Sequence, residues 1–126
     1  MNIDKRQSRI KILIVDDEWD LVILYKNILK KFKYFVESAS NGEEAVKIHK
    51  KAYENRKRFD CIIMDYRMPI KDGFEAVKEI LNLDKKTKII FASADDSIEQ
   101  EVLKLGVKAF LKKPFATDVL INALRC

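Results

Sequence analysis

Hydrophobic residues along the chain follow two alternating patterns. Five short apolar runs, several rich in β-branched residues, are typical of strands buried on both faces of a parallel sheet. They are predicted at residues 10–15, 35–39, 61–64, 88–92 and 107–111. Between and after them, apolar residues recur every three or four positions, which indicates amphipathic helices. The alternation predicts an α/β fold in which right-handed crossovers place five parallel strands between two layers of helices.

Capping residues indicate where several of these helices begin and end. Asn41 and Ser97 each stand three residues before a Glu or Gln, which is the spacing of a capping box. Asp72 is predicted to cap the third helix, and Gly106 to end the fourth in the left-handed conformation. The fifth helix is predicted to begin near Ala116. In the first helix, the apolar spacing predicts a buried stripe that includes Leu21, Leu24, Tyr25, Ile28, Leu29 and Phe32.

The composition is that of one globular domain. The chain has 126 residues, 48% hydrophobic and 36% charged, which is enough for one core but not for two. The longest apolar run, Leu21 to Tyr25, is far shorter than the roughly 20 residues of a membrane span, so no membrane insertion is expected. Residues 1–9 lack the apolar segment of a secretory signal and are predicted to be a flexible tail before a domain at 10–126. Two cysteines, Cys61 and Cys126, make no disulfide framework, so we expect reduced thiols in a cytoplasmic protein.

The net charge raises the question of nucleic-acid binding. Lys plus Arg is 25 and Asp plus Glu is 20, which gives +5. The positive residues are scattered over the ends of the predicted helices, where they complement helix dipoles and solvate the surface. No stacking motif or recognition-helix pattern accompanies them, so we expect no direct contact with nucleic acid.

Residues that can carry chemistry follow four of the predicted strands. Asp16 and Asp17 come after the first strand, Asp65 after the third, Ser93 after the fourth and Lys113 after the fifth. In open parallel sheets, ligands bind outside the carboxyl ends of the strands, where the strand order reverses. Each residue alone has an ordinary explanation as a helix cap, a turn former or a solvated loop residue. Their recurrence at four strand ends favours a shared crevice.

Three carboxylates in one crevice would repel one another unless a cation lay between them. Oxygen-only ligands favour Mg²⁺. We expect Asp17 and Asp65 to bind the ion directly and Asp16 to act through a water molecule. A backbone carbonyl near Arg67 would complete the protein ligands.

Asp65 is the predicted nucleophile of this crevice. It ends a stiff apolar strand, and Pro69 prevents the strand from continuing, so that a loop follows Asp65. A carboxylate can accept a phosphoryl group to form an aspartyl phosphate. Lys113 would neutralise part of the charge on the transferred group, and the Ser93 hydroxyl would donate a hydrogen bond to it.

The motifs resemble those of a known family. They are the Asp16-Asp17 pair, the D-x-x-M-P-x-x-D-G run from Asp65 to Gly73, Ser93, and Lys113-Pro114-Phe115. With these residues in this order, the chain from about Arg9 to Leu124 resembles the receiver domain of two-component response regulators, and is similar to the stand-alone chemotaxis type. The resemblance implies a flavodoxin-like sheet of order 2-1-3-4-5. It also implies transfer of a phosphoryl group from a sensor histidine kinase or a phosphotransfer protein to Asp65, with Mg²⁺ bound.

The resemblance further implies a switch. Ser93 would move toward the phosphoryl group and Phe110 would turn inward, changing the face of helix 4, strand 5 and helix 5 that a downstream protein binds. The Lys113-Pro114 bond would often be cis. Arg67 and Asp95 occupy positions that tune dephosphorylation, and we expect an ion pair between them. The chain would catalyse its own phosphotransfer and slow autodephosphorylation without being an enzyme in the usual sense.

Three other functions compete with this hypothesis. A magnesium-dependent phosphatase of similar fold would be expected to have a second acid where Arg67 stands. A nucleotide- or flavin-binding module would need a glycine-rich loop after strand 1, where the sequence is acidic instead. The third alternative, an adaptor that is never phosphorylated, is not excluded by the sequence. We predict no catalytic role for the single histidine, His49, and expect Tyr66 to lie along the loop surface.

Overall fold

The alternation of strands and helices is present in the computed structural model, which describes residues 10–125. The strands are β1 Lys11–Val15, β2 Phe35–Ala39, β3 Cys61–Asp65, β4 Ile89–Ser93 and β5 Ala109–Lys112. The helices are α1 Trp19–Lys31, α2 Gly42–Glu54, α3 Gly73–Leu83, α4 Glu99–Leu105 and α5 Thr117–Arg125, with a 3-10 turn at Asp96–Ile98 before α4. The predictions for residues 1–9 and for Cys126 lie outside the described residues.

The five strands form one parallel sheet. Its order is β2-β1-β3-β4-β5, which confirms the flavodoxin-like prediction. The strand order reverses between β1 and β3, and the register there sets Val15 beside Met64. Asp16 and Asp65 therefore follow from neighbouring strands at the same edge of the sheet, where ligands of this architecture bind.

Both faces of the sheet are buried. Alternate residues of β1, β3 and β4 point to opposite sides, as strand geometry requires. One core cluster includes Leu13, Met64 and Phe91 and packs under α2, α3 and α4. The other includes Ile14 and Ile63 and packs under α1 and α5. Burial of each such aliphatic or aromatic side chain contributes roughly 1.5–3 kcal/mol, so the two cores hold the strand ends in fixed positions.

The buried stripe of α1 differs from the prediction. Val22, Tyr25 and Leu29 face the sheet, whereas Leu24 is 51% exposed and Phe32 is 40% exposed. The apolar residues of this helix cover more than half of its circumference, so their spacing alone did not identify the stripe that contacts the sheet.

Two predicted caps and one helix end are confirmed. Asn41 Oδ1 accepts a hydrogen bond from the Glu44 N–H at 2.9 Å, and Asp72 Oδ1 accepts one from the Glu75 N–H at 2.9 Å. Gly106 ends α4 with φ of 109°. The two caps were predictable because each capping bond joins residues three positions apart, and the helix end because glycine favours the left-handed conformation.

The predicted Ser97 cap of the fourth helix is wrong. Asp95 accepts hydrogen bonds from the Ser97 N–H at 3.0 Å and from the Ser97 hydroxyl at 2.6 Å. A 3-10 turn therefore precedes the helix, which begins at Glu99. The carboxylate of Asp95 is the stronger acceptor, and it takes the place that the sequence pattern assigned to the serine.

His49 is buried, although the lysines next to it in the sequence suggested an exposed position. It is 3% exposed, and its Nε2 lies 3.0 Å from Thr87 Oγ1. Burial lowers the pKa of the imidazole, against the charge of Asp84, which raises it. The neutral side chain therefore joins α2 to the segment before β4.

None of the helices within residues 10–125 has the length and apolar character needed to cross a bilayer.

Two glycines allow close backbone contacts around the β3–α3 loop. The Gly73 N–H donates to the Tyr66 carbonyl at 2.7 Å, and a Cβ at Gly73 would lie 1.8 Å from the Asp65 carbonyl oxygen. The Gly42 N–H donates to the Lys71 carbonyl at 2.9 Å, and a Cβ there would lie 2.5 Å from that oxygen. The loop after Asp65 is thus held from α3 and from the start of α2.

We expect Gly73→Ala to lower the free energy of unfolding by about 3 kcal/mol, because the added methyl overlaps backbone rather than a flexible side chain. Urea unfolding followed by circular dichroism measures this change. Lys78→Ala, at an exposed position of the same helix, is the control and should change stability by less than about 0.5 kcal/mol. Equal stability of the two variants would contradict the inferred close packing.

Candidate functional site

Asp16 is fixed at the end of β1 by hydrogen bonds to both of its carboxylate oxygens. It is 4% exposed. Its Oδ1 accepts the Glu18 N–H at 2.9 Å, and its Oδ2 lies 2.8 Å from Lys113 Nζ. Asp17 beside it is exposed. The residue that caps α1 is Glu18, which makes no side-chain cap bond, so capping does not account for Asp17.

Asp65 ends β3 with its side chain 13% exposed. Its Oδ1 accepts a hydrogen bond from Lys113 Nζ at 3.1 Å. Burial is the largest cause that raises the pKa of the Asp65 carboxyl, the charge of Lys113 opposes it and the charge of Asp16 adds to it, and together they raise the pKa to about 6. The carboxylate is therefore less favourable here than in water, which suits a group that gains from a cation or from a new covalent bond.

Lys113 joins the two acids. Its ammonium lies between Asp16 and Asp65. Burial disfavours that charge, but the hydrogen bond to Asp16 and the charges of both carboxylates outweigh it, so the pKa of Lys113 is raised. The Lys113 N–H donates to the Ser93 carbonyl at 2.9 Å, and the bond to Pro114 is cis, as the resemblance implied. The lysine is charged at neutral pH and is aimed into the site.

Ser93 ends β4 and is 4% exposed. Its Oγ accepts the Asp95 N–H at 3.0 Å, which leaves its O–H able to donate to another group.

A row of aromatic rings includes Phe91, on the same strand as Ser93. Phe91 lies 5.9 Å from Tyr66 and 6.0 Å from Phe110, centroid to centroid, and Phe110 is half-buried.

The expectation that Tyr66 lies along the loop surface is wrong. Its ring is half-buried and packs against the core cluster under α2, α3 and α4. Tyr66 has the same strand parity as Met64, so it continues the side of β3 that faces this core. The strand period could have predicted this orientation if β3 had been continued past Asp65.

The predicted ion pair over the site is present. Arg67 Nη2 lies 3.1 Å from Asp95 Oδ2, and the guanidinium lies 4.9 Å from the centre of the Tyr66 ring. Hydrogen bonds from Ser97 and then from Arg67 lower the pKa of Asp95. The pair joins the β3–α3 loop to the segment after β4 across the mouth of the site.

The three acids can approach one cation. Asp16, Asp17 and Asp65 each offer a carboxylate oxygen, and these oxygens lie within 4.8 Å of one another. All the donor atoms are oxygens. Asp17 is exposed and Asp16 is buried, and the surroundings of Asp65 raise its pKa. These features fit a hard cation such as Mg²⁺. The backbone carbonyl of Arg67 remains a predicted ligand.

A cavity of about 380 Å³ brings most of these groups together. It is lined by Asp17, Glu18, Asp65, Arg67, Ser93, Ala94, Asp95 and Lys113. Glu18 and Ala94 were not singled out from the sequence, although each directly follows a predicted site residue. The cavity holds carboxylates, a hydroxyl and an ammonium, a set suited to binding a phosphoryl group next to a metal ion.

Comparison with known proteins agrees with this geometry. Residues 12–125 match the family model of the response regulator receiver domain. The chemotaxis protein CheY of Thermotoga maritima is 37% identical over 117 residues, which are 90% of this chain and 93% of that protein. The chain therefore belongs to the response regulator receiver domain family of two-component signalling.

Solved structures are also similar. CheY in the CheX-CheY-BeF3-Mg²⁺ complex of Borrelia burgdorferi superposes with a TM-score of 0.84 and 29% identity, covering 91% of this chain and 86% of that one. The response regulator TrrA of Thermotoga maritima, in complex with Mg²⁺-BeF, gives a TM-score of 0.80 and 30% identity, covering 92% and 96%. The chain resembles stand-alone receivers of the chemotaxis type over nearly its whole described length.

We expect Asp65→Asn to raise the stability of the metal-free protein near neutral pH by roughly 2 kcal/mol, because it removes a carboxylate whose pKa of about 6 lies above the ordinary 3.9. A raised pKa penalises the folded state above about pH 6, and the penalty disappears as the pH falls toward 4. The gain should therefore be present at neutral pH and shrink on acidification. Urea unfolding in chelator measures it, with Glu101→Gln on exposed α4 as control.

The same pair of proteins tests the metal. Millimolar Mg²⁺ should stabilise the wild type more than Asp65→Asn and should change the fluorescence of Trp19, which is 68% exposed and two residues from Asp17. A flat fluorescence titration together with equal stabilisation of both proteins would contradict the cation site.

Proposed function

We propose that the chain is a phosphorylation-dependent switch that accepts a phosphoryl group on Asp65 from a sensor histidine kinase or a phosphotransfer protein. The observation that carries the proposal is the arrangement around one ammonium. Lys113 Nζ contacts both Asp16 and Asp65, and Asp17 places a third carboxylate oxygen within 4.8 Å of the other two acids. Magnesium occurs in the structures of two relatives, together with a fluoride of beryllium, so a hard cation and a compact anion are known in this fold.

The reaction needs only the groups already described. An Asp65 oxygen attacks phosphorus as the phosphorus–nitrogen bond of the donor phosphohistidine breaks, and the imidazole leaves with the bonding electron pair and takes up a proton. A pKa of about 6 leaves most of the Asp65 carboxyl ionised at neutral pH. Lys113 exchanges its contact with the carboxylate for one with a phosphoryl oxygen, and the Ser93 O–H donates to another.

Magnesium would be held by Asp17 and Asp65, with Asp16 acting through a water molecule and the Arg67 carbonyl as a further ligand. When bound, it would neutralise charge on the phosphoryl oxygens. Its presence would also lower the pKa of Asp65 and so favour the nucleophilic form.

The proposed output is a change in the face formed by α4, β5 and α5. Movement of Ser93 toward the phosphoryl group would break its hydrogen bond with the Asp95 N–H, at the start of the segment that leads into α4. Phe110 would then turn inward beside Phe91. The Lys112–Asp96 ion pair, 3.1 Å long, joins β5 to the same segment, so the face would respond as a unit. A downstream protein in the cytoplasm, rather than nucleic acid, would bind it.

The competing functions have less support. The position where a magnesium-dependent phosphatase would have its second acid is occupied by Arg67, whose guanidinium is paired with Asp95. An adaptor that is never phosphorylated would not need a partly buried acid such as Asp65, whose pKa is raised, beside a lysine. The chain would catalyse its own phosphotransfer and slow dephosphorylation, and no other reaction is proposed.

Incubation with acetyl phosphate and Mg²⁺ should add one phosphoryl group to the wild-type protein, labile to base, because the site supplies its own nucleophile and charge neutralisation. Intact mass spectrometry measures the change. Asp65→Asn should gain nothing, whereas Asp118→Asn, an exposed acid of α5, should react as the wild type does. Failure of the wild type to react would favour the adaptor instead.

Removing the ion pair over the site should shorten the lifetime of the phosphoryl group, because water would reach it more easily. We expect Arg67→Ala with Asp95→Asn, which keeps an acceptor for Ser97, to accelerate loss by roughly two- to fivefold, a small factor because the ion pair is exposed. Loss of the labelled group over time measures the rate. The neighbouring pair, replaced by Lys112→Ala with Asp96→Asn, is the control, and equal lifetimes in all three proteins would remove the hypothesis.

A further inference from the structure

The N-terminal edge of the sheet, opposite the Asp65 site, carries basic and aromatic residues side by side. The chain from α1 into β2 is Lys30-Lys31-Phe32-Lys33-Tyr34-Phe35. Phe32 is 40% exposed and Phe35 is 43% exposed. The three lysines are exposed, and within residues 10–125 none of them forms an ion pair. Exposed apolar rings and uncompensated positive charges thus share one turn.

Contacts connect this turn to basic residues from other parts of the chain. The Arg125 guanidinium lies 6.0 Å from the centre of the Phe32 ring. Phe35 is the register partner of Lys11 across β1 and β2, and Lys11 Nζ donates to the Lys57 carbonyl at 2.8 Å. The result is a continuous surface, here called the basic–aromatic edge, formed by Ile10, Phe32, Lys33, Phe35, Lys57 and Arg125.

Two basic residues of this region stand where glycine would be more stable. Lys33 has φ of 69° and Arg56 has φ of 58°, and each comes two residues after the last residue of a helix. Glycine is the usual residue at such a left-handed position, because it has no Cβ to clash. A side chain retained there at a cost in stability indicates a use for it. Lys33 belongs to the basic–aromatic edge, and Arg56 directly precedes Lys57 of that edge.

A cavity of about 430 Å³ adjoins this turn, because Tyr34 is one of its lining residues. Ile10, Tyr34 and Leu124 provide apolar walls, and Asp60 and Arg125 contribute polar groups. Together with the exposed rings, this gives the edge an apolar component that a purely electrostatic surface would lack.

We propose that the basic–aromatic edge binds the surface of a bilayer that contains anionic phospholipids. Lysine and arginine near such a surface are attracted by the headgroups, and aromatic rings enter the boundary between headgroups and acyl chains. An acidic polypeptide would match the charges but not the two phenylalanines. A single-stranded nucleic acid would need ring faces for its bases, and the Phe32 ring already stacks with Tyr34 at 6.4 Å and has Arg125 beside it.

The proposal is independent of phosphorylation and compatible with it. The strands are five or four residues long, so the two edges of the sheet are separated by about 17 Å at 3.3 Å per residue. A protein docked through the basic–aromatic edge would keep the Asp65 cavity facing away from the bilayer and open to a phosphoryl donor.

Cosedimentation with vesicles tests the proposal. The wild type should bind vesicles of phosphatidylcholine with about 30% phosphatidylserine, should not bind phosphatidylcholine alone, and should be released by salt. Lys33→Gly with Arg56→Gly should weaken binding by about thirtyfold while the melting temperature stays equal or rises, because the left-handed positions are relieved. Phe32→Ser with Phe35→Ser should weaken binding without changing its dependence on salt.

Matched controls separate this edge from net charge. Lys47→Gln with Lys78→Gln removes the same charge from exposed positions in the middle of α2 and α3 and should leave vesicle binding unchanged. Equal loss in this control, binding to phosphatidylcholine alone, or no binding at low salt would overturn the proposal. So would preferential binding of a single-stranded oligonucleotide or polyglutamate. Acetyl phosphate labelling of each variant should equal that of the wild type, so the two proposals fail or stand separately.

Discussion

The site depends on one ammonium held between a buried carboxylate, Asp16, and a partly buried one, Asp65. Asp16 and Asp65 come from neighbouring strands and would repel each other at this distance, and burial raises the cost of each charge. Lys113, which directly follows β5, two strands away from β3, offsets that repulsion with contacts of 2.8 and 3.1 Å. The same contacts tie the tip of β5 to the centre of the sheet. Because the pKa of Asp65 remains raised despite this partner, the site still favours a ligand that supplies more positive charge or removes the negative one.

The topology of the parallel sheet brings these groups together at one end of the sheet. Right-handed crossovers return every strand in the same direction, so all carboxyl ends meet at one edge. Two glycines then hold the loop after Asp65 in position. Gly73 packs against the Asp65 carbonyl, and the Gly42 N–H donates a hydrogen bond to the Lys71 carbonyl. A phosphoryl group would enter a space whose walls are already positioned, which is how electrostatic catalysis avoids reorganisation at the moment of reaction.

The two ends of the sheet have opposite chemical character. The carboxyl end concentrates acids around a lysine, and the N-terminal end combines lysines and arginines with exposed phenylalanines. Acids near helix N-termini and bases near helix C-termini complement the helix dipoles. Lys33 and Arg56, in contrast, are placed against local backbone preference. This division would let one small domain contact a phosphoryl donor and a second surface at the same time, with no overlap between the two sites.

The sequence by itself determined the order of elements, two of the helix caps and the residues at four strand ends, because periodicity, capping and strand termination act over a few neighbouring positions. Sequence order, read through the topology of parallel sheets, then predicted that Asp16, Asp65 and Lys113 would meet. Only the tertiary structure decided that α1 buries Val22 rather than Leu24. The tertiary structure alone also showed that a Cβ at Gly73 would overlap the Asp65 carbonyl. It alone showed that the Arg125 guanidinium lies near the ring of Phe32, the residue that follows α1. Those facts join residues distant along the chain, and their contacts follow from how whole elements pack rather than from any local preference.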